Sequence, residues 1–138
     1  MKDIASKMVG VDFNLAPEIM KHPNFLGIES NAENAIKKLS TEKFDVILLI
    51  SVLEHLHDAT GTLKQIRQLL GENGILLVNV PTWRGKAFLE FSAFRLGLSP
   101  ADEMNDHKMY YDKRDLWPIL VSSGFFPSNI SMRYHKFG

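Results

Sequence analysis

The chain has 138 residues, of which 45% are hydrophobic and 23% charged, and its 16 basic residues balance its 16 acidic ones. This length suits one domain with a sizeable core. The absence of a basic excess argues against a dedicated nucleic-acid surface. No cysteine is present, which excludes disulfides and thiolate metal sites and is typical of a cytoplasmic protein. The longest apolar run, Val46–Ile50, is too short for stable membrane insertion.

The first elements are two short strands with a helix between them. Met8–Asp12 is an apolar run that ends in an acid, and Phe25–Glu29 is a similar run. Asn14 is placed to cap a helix over Leu15–Lys21. The pattern therefore predicts a strand, a helix and a second strand.

A second helix follows at once. Ser30 and Glu33 have the spacing of a capping box. The apolar residues after them recur at the interval of one helix face: Ala32, Ala35, Ile36 and Leu39.

The middle of the chain predicts a strand, a helix and a strand. Phe44–Ser51 and Gly74–Pro81 are rich in Val, Ile and Leu without alternation, which is typical of strands buried on both faces of a parallel sheet. Between them an apolar stripe predicts a helix that ends at Gly71. The stripe consists of Leu63, Ile66, Leu69 and Leu70.

The last third begins with the aromatic and basic stretch Thr82–Tyr111, for which we predict a helix near Lys86–Leu96 and then a loop. Asp112 is placed to cap a helix over about Lys113–Ser123, and Asn129–Lys136 predicts a final strand. Alternating strands and helices predict an α/β fold with a mostly parallel sheet.

Four blocks of the sequence, taken in order, resemble a class I S-adenosylmethionine-dependent methyltransferase. They are KMVGVDFN, FDVILLISVLEHLHD, GENGILLVNVP and DHKMYYDKRDLWPILVSSGF. The resemblance implies a Rossmann-like sheet with helices on both faces, S-adenosylmethionine as cofactor and transfer of a methyl group. It covers most of residues 1–138, which we interpret as a single partial domain of that type.

The resemblance also implies a set of cofactor-binding residues. Asp12 matches the acid that receives the ribose hydroxyls in the family, and a carboxylate suits a vicinal diol because it offers two acceptors. The other implied positions lie beside it or after the next two strands: Phe13, Asn31, Ala32, Ser51 and Val52. Ser30 to Glu33 also has a purely structural interpretation as the helix cap.

Two parts of the family pattern are missing from the sequence. No glycine precedes Met8, where the family has its first strand and glycine-rich loop, and no seventh strand follows the last predicted one. We therefore expect a truncated fold. Either the strand Met8–Asp12 pairs directly with Phe44–Ser51, or a second copy fills the gap as a homodimer, or the chain is a fragment of a longer protein.

The loop after Phe44–Ser51 carries the residues that suit catalysis. His55 is the candidate general base, since a histidine imidazole accepts protons near neutral pH. Glu54 is a candidate acceptor-binding residue. Glu54, His55, His57 and Asp58 offer oxygen and imidazole donors for a metal ion. However, the adjacent side chains of Glu54 and His55 tend to point apart, and Asp58 suits a helix cap. We therefore predict no metal site.

Three residues of the later segment are further candidates for binding an acceptor: Trp83, His107 and Tyr110. The aromatic residues between them, such as Phe91 and Phe94, could line an acceptor site, pack on the sheet or form a dimer interface.

The sequence thus favours a methyltransferase that acts on a small-molecule, sugar or lipid-linked acceptor. The alternative is a non-catalytic, methyltransferase-like remnant that serves as an interaction or dimerisation module, because the missing glycine loop would hold the methionine end of the cofactor.

Overall fold

The computed structural model of the chain describes residues 5–81 and 111–134. The elements alternate between strand and helix, and the predicted α/β class is confirmed. The strands are β1 (Met8–Asp12), β2 (Phe25–Glu29), β3 (Phe44–Ile50) and β4 (Leu70–Asn79). The α-helices are α1 (Pro17–Met20), α2 (Ala32–Lys38), α3 (Ala59–Leu69) and α4 (Lys113–Ser122), and short 3₁₀ turns occupy Leu53–His55 and Pro127–Asn129.

The strands pair in parallel within two compact units, Met1–Glu42 and Lys43–Gly138. In the first unit β1 pairs with β2, and in the second β3 pairs with β4. Parallel pairing with a helix between the strands is the expected βαβ arrangement. Each of these two-stranded sheets lies within one unit.

Helix ends in the first unit differ from two predictions. Asn31, rather than Ser30, is the N-cap of α2, and its Oδ1 accepts a hydrogen bond of 2.8 Å from the Asn34 N–H. The extended ψ of 161° at Asn31 places its side chain over the first turn. Helix α1 begins after Ala16 with no side-chain cap, so the cap predicted at Asn14 is wrong.

The second unit is built around α3. Its buried face presents Leu63, Ile66 and Leu69, as predicted. The helix ends one residue earlier than expected, because Leu70 is already extended with a ψ of 136° and begins β4. Gly71 is therefore a strand residue and not the C-cap.

Helix α4 packs against α3, and its residues Leu116 and Leu120 are buried. Asp112 and Asp115 form a capping box at its start, which confirms Asp112 as the cap. The helix is followed by Gly124, whose φ of +94° suits glycine. The strand predicted from Asn129 is absent as far as Tyr134, where the chain has only the 3₁₀ turn and irregular backbone.

One face of the β3–β4 sheet is exposed. Side chains on the other face include buried Leu49, whereas the exposed face carries five aliphatic side chains that are 51–66% exposed. They are Val46, Leu48 and Ile50 of β3 and Ile75 and Leu77 of β4. The prediction that both strands are buried on both faces is thus wrong for the described residues. Among the helices within those ranges, none is long and apolar enough to cross a membrane.

Candidate functional site

Two carboxylates mark the carboxyl end of the β1–β2 sheet. Asp12 and Glu29 are register partners at the last positions of their strands. Asp12 Oδ1 accepts a hydrogen bond of 2.6 Å from the Phe13 N–H, and Glu29 Oε1 accepts one of 3.3 Å from the Leu15 N–H. Within the described ranges the second oxygen of each carboxylate receives no hydrogen bond. Asp12 is exposed, so its free oxygen is open to a ligand.

The predicted neighbours of Asp12 lie at the same edge of this sheet. Phe13 follows directly and is 78% exposed. The Ser30 N–H donates to the Asp12 carbonyl over 3.0 Å, which holds the turn into α2 beside the end of β1. Asn31 and Ala32 begin that helix, and the Asn31 side chain is engaged in the cap. The structure therefore brings Asp12, Phe13 and the start of α2 together.

The carboxyl end of β3 holds the second group of predicted residues. Ser51 has a φ of +51°, the positive value that non-glycine residues rarely adopt. Its N–H donates to the Asn79 carbonyl over 3.0 Å, which ties the bend to β4. Strained backbone of this kind is concentrated at functional sites. Val52 follows and precedes the 3₁₀ turn that carries Glu54 and His55.

The 3₁₀ turn separates two neighbouring side chains. Glu54 is 3% exposed, and its Oε2 has no hydrogen-bond partner within the described residues. His55 is exposed, and its N–H donates to the Val52 carbonyl over 3.0 Å. The turn is anchored by Leu53, which is fully buried. The carboxylate thus points inward and the imidazole faces solvent.

Tyr111 connects the Glu54 turn to the end of β4. Its side chain is 3% exposed, and its N–H donates to the Pro81 carbonyl over 3.3 Å. Burial raises the pKa of the Tyr111 phenol above 10.0, and the nearby charge of Glu54 raises this pKa further. A buried acid and a buried phenol therefore lie near one another at the carboxyl end of the β3–β4 sheet.

The remaining polar residues of the loop have a structural role. Asp58 caps α3, with Oδ1 accepting a 2.8 Å hydrogen bond from the Gly61 N–H, and His57 is exposed. Across residues 5–81 and 111–134, no three histidine, aspartate or glutamate side chains are grouped as a metal site would require. Trp83, His107 and Tyr110 lie outside the described residues.

An open groove of about 510 Å³ lies along α4. Lys113, Arg114, Trp117, Pro118 and Met132 line it. It contains none of the site residues that the sequence predicted.

A model of the methyltransferase domain family matches residues 1–126. The chain belongs to the methyltransferase domain family. No curated protein matched the chain in a sequence search. The family assignment agrees with the parallel α/β fold, and it confirms the resemblance that the four sequence blocks carried.

The structure draws attention to two residues of this methyltransferase domain that the sequence did not single out. Glu29 was not considered, although it ends FLGIE as Asp12 ends MVGVD, and strand ends in parallel sheets share an edge. Tyr111 was grouped with His107 and Tyr110 as a candidate for the acceptor pocket, and the sequence gives no sign that its side chain is buried.

The methyltransferase domain thus presents two kinds of chemistry. The first unit offers an exposed carboxylate that can accept hydrogen bonds from hydroxyl groups. The second unit offers an exposed imidazole on a 3₁₀ turn, which can accept a proton. Both sets of residues follow the carboxyl ends of parallel strands, where open α/β sheets bind ligands.

Proposed function

We propose that this methyltransferase domain binds S-adenosylmethionine through the carboxyl end of β1 and transfers its methyl group to a small-molecule, sugar or lipid-linked acceptor. The observation that carries the proposal is the free oxygen of Asp12 at the end of β1. When bound, S-adenosylmethionine supplies an electrophilic methyl group.

The residues at this edge suit the nucleoside end of the cofactor. A ribose has two neighbouring hydroxyl groups that donate hydrogen bonds, and Asp12 has an exposed acceptor beside the chain reversal held by Ser30. Phe13 offers an exposed ring for contact with a flat base. The backbone at Asn31 and Ala32 would flank the adenine.

His55 would take the proton that a hydroxyl acceptor loses when it is methylated. The imidazole is exposed and is carried on the short turn that Leu53 anchors. This loop follows the carboxyl end of β3, where parallel sheets bind ligands, so Ser51 and Val52 would border the methyl group and Glu54 would lie on the acceptor side. General base catalysis typically contributes about 10²- to 10⁴-fold in rate.

Calorimetric titration of the full chain with S-adenosylhomocysteine tests cofactor binding. We expect measurable binding in the wild type and binding weaker by roughly 10- to 100-fold in Asp12→Ala, because hydrogen bonds to charged groups contribute about 1.5–3 kcal/mol. Glu18→Ala is the matched control, since Glu18 is an exposed acid of the same unit. An Asp12→Ala variant with wild-type affinity would remove the basis of the proposal. Absence of binding in the wild type would favour the non-catalytic alternative.

Radiolabelled methyl transfer to pools of phenolic, glycan and lipid-linked acceptors tests the activity. For any acceptor that is methylated, we expect His55→Ala to lose about 10²- to 10⁴-fold in kcat while its affinity for S-adenosylhomocysteine stays close to that of the wild type. His57→Ala is the control, because His57 is an exposed imidazole of the same loop. Equal losses in both variants would contradict the role of His55.

A further inference from the structure

The turn between β1 and α1 is held by a side chain of the neighbouring strand. Glu29 Oε1, at the end of β2, accepts a hydrogen bond of 3.3 Å from the Leu15 N–H. Leu15 follows β1 and precedes α1, which begins at Pro17, so neither element supplies a partner for this N–H. Among the residues that the structure describes, no other hydrogen bond joins Phe13, Asn14 or Leu15 to β2.

The strand register places Glu29 within reach of this turn. Glu29 and Asp12 are partners at the last positions of two parallel strands, which lie about 4.8 Å apart. The chain that leaves β1 at Asp12 therefore passes beside the Glu29 side chain. Because both strands run in the same direction, the two residues also reach the same edge of the sheet, where ligands bind.

The side chain of Leu15 is held by the same strand. A Cβ added at Gly27 would lie 2.7 Å from Leu15 Cδ1, so the leucine occupies the space that a larger residue at this position would fill. Gly27 and Glu29 are two positions apart in β2 and therefore share one face of the strand. Leu15 is thus fixed twice on this face, by packing over Gly27 and by the hydrogen bond to Glu29.

The position of Leu15 limits where the rest of the turn can lie. Two residues separate Leu15 from Asp12, and so short a connection between fixed ends has few conformations. The Ser30 N–H fixes the other end by donating to the Asp12 carbonyl over 3.0 Å. Between these ends the Phe13 N–H donates to Asp12 Oδ1, which leaves the second oxygen of that carboxylate for a ligand. The orientation of the Asp12 carboxylate thus depends on this turn.

We propose that Glu29 is a positioning residue of the nucleoside site, which holds the turn after β1 so that Asp12 and Phe13 are presented to the cofactor in one arrangement. This inference rests on the proposed function. Glu29 acts through Leu15 and not by contact with the ligand. A turn that is already fixed loses less conformational entropy when the ligand binds, so this preorganisation strengthens affinity.

Under this proposal the acceptor atom of Glu29 matters and its charge does not. Glutamine keeps an oxygen that can accept the Leu15 N–H, so glutamine should replace Glu29 and alanine should not. Direct contact between the Glu29 carboxylate and the ligand would instead give a loss in the glutamine variant as well, because hydrogen bonds to charged groups are about twice as strong as neutral ones. Two substitutions at one position therefore separate the two roles.

Calorimetric titration of the full chain with S-adenosylhomocysteine is the first test. We expect Glu29→Ala to bind roughly 3- to 10-fold more weakly than the wild type, and Glu29→Gln to stay within about 2-fold of it. Glu18→Ala, which changes an exposed acid of the same unit, is the control and should bind like the wild type. Wild-type affinity in Glu29→Ala, or equal losses in Glu29→Ala and Glu29→Gln, would overturn the proposal.

A double-mutant cycle separates positioning from a general loss of stability. If Glu29 acts by orienting Asp12, Glu29→Ala should weaken binding less in an Asp12→Ala background than in the wild type. Fully additive losses would contradict the proposal.

Amide hydrogen exchange of the ligand-free chain, measured by NMR, tests the contact itself. The Leu15 N–H should exchange roughly 3- to 10-fold faster in Glu29→Ala and close to the wild-type rate in Glu29→Gln. An unchanged rate in Glu29→Ala would overturn the proposal.

The same titrations distinguish failure of this inference from failure of the proposed function. If the wild type binds and Asp12→Ala loses affinity while Glu29→Ala does not, the proposed function stands and this inference alone is wrong. Absence of binding in the wild type would overturn both.

Discussion

The Glu54 carboxylate raises the pKa of the Tyr111 phenol, and both side chains are 3% exposed. Burial is the larger cause of the raised pKa and the charge of Glu54 is the smaller one. The pair connects the turn after β3 with the point where the chain rejoins the sheet after residues 82–110. Removing the Glu54 charge should therefore lower the pKa of Tyr111, and removing the Tyr111 phenol should change how the free energy of unfolding depends on pH.

The first prediction concerns the titration of Tyr111. Glu54→Gln removes the negative charge but keeps the size of the side chain, so the pKa of Tyr111 should fall while burial keeps it above its ordinary value. Ultraviolet difference titration in a Tyr110→Phe, Tyr134→Phe background isolates this phenol. Glu72→Gln, an exposed acid in β4, is the control and should leave the midpoint unchanged. An unchanged midpoint in Glu54→Gln would show that the two groups do not interact.

The second prediction concerns stability in alkaline solution. The phenol of Tyr111 ionises near pH 10.0 when the chain is unfolded and at higher pH when it is folded. The wild type should therefore lose free energy of unfolding as pH rises above about 10, and this contribution is fully present below that value. Tyr111→Phe should lack this part of the decline. Urea unfolding of both proteins from about pH 8 to pH 11 measures the difference, and parallel curves would contradict the prediction.

The third prediction concerns the cap of α3. Asp58→Ala removes the acceptor of the Gly61 N–H and should lower the free energy of unfolding by about 0.5–2 kcal/mol. Asp58→Asn keeps a side-chain oxygen at the same position and should cost much less. Urea unfolding at neutral pH compares the two variants. Equal losses would mean that the charge of Asp58, and not its hydrogen bond, stabilises the helix.

The fourth prediction concerns the turn after α4. Gly124 has a φ of +94°, and an added Cβ would also lie 3.3 Å from Arg67 Cδ. Gly124→Ala should therefore cost about 1–2 kcal/mol of the free energy of unfolding. Gly71→Ala is the control. A Cβ added at Gly71 would lie 3.6 Å from the Phe44 carbonyl oxygen, an ordinary van der Waals distance, and the φ of Gly71 is not positive. Thermal unfolding of both variants provides the comparison.

The fifth prediction concerns the core around α3. Leu63 is fully buried, so Leu63→Ala should lower the free energy of unfolding by about 2–5 kcal/mol through lost contacts and the cavity that remains. Lys64→Ala, at the neighbouring exposed position, should change stability by less than about 0.5 kcal/mol. Denaturant unfolding of the two variants measures both values. A small loss in Leu63→Ala would indicate that the core repacks around the cavity.

Local signals in the sequence predicted much of the fold. The strands Met8–Asp12 and Phe25–Glu29 have the predicted bounds, and Asp58 and Asp112 cap their helices as expected. These features depend on neighbouring residues alone. The cap of α2 was misplaced by one residue because Ser30 and Asn31 both suit a cap, and the backbone angle that decides between them is set by the preceding turn.

Features that depend on distant parts of the chain were predicted less well. The apolar strand Phe44–Ile50 indicates burial, but composition cannot show whether an element covers each face, and among residues 5–81 and 111–134 only one face is buried. The strand expected from Asn129 is not formed as far as Tyr134, because a strand needs a neighbouring strand to pair with and the local sequence does not show whether one is present. Likewise, Asp12 was found from its place at a strand end, whereas Glu29 required the register between strands.

The hydrogen bond between Tyr111 and the Pro81 carbonyl also has an evolutionary consequence. Because the two attachment points of residues 82–110 are adjacent, the intervening stretch can grow, shrink or be exchanged without moving β4 or α4. Doubling the length of such a connection costs only about 0.6 kcal/mol in closure entropy. Descendants of this chain could therefore vary that stretch in length and sequence while the sheet and the turn that carries His55 stay as they are.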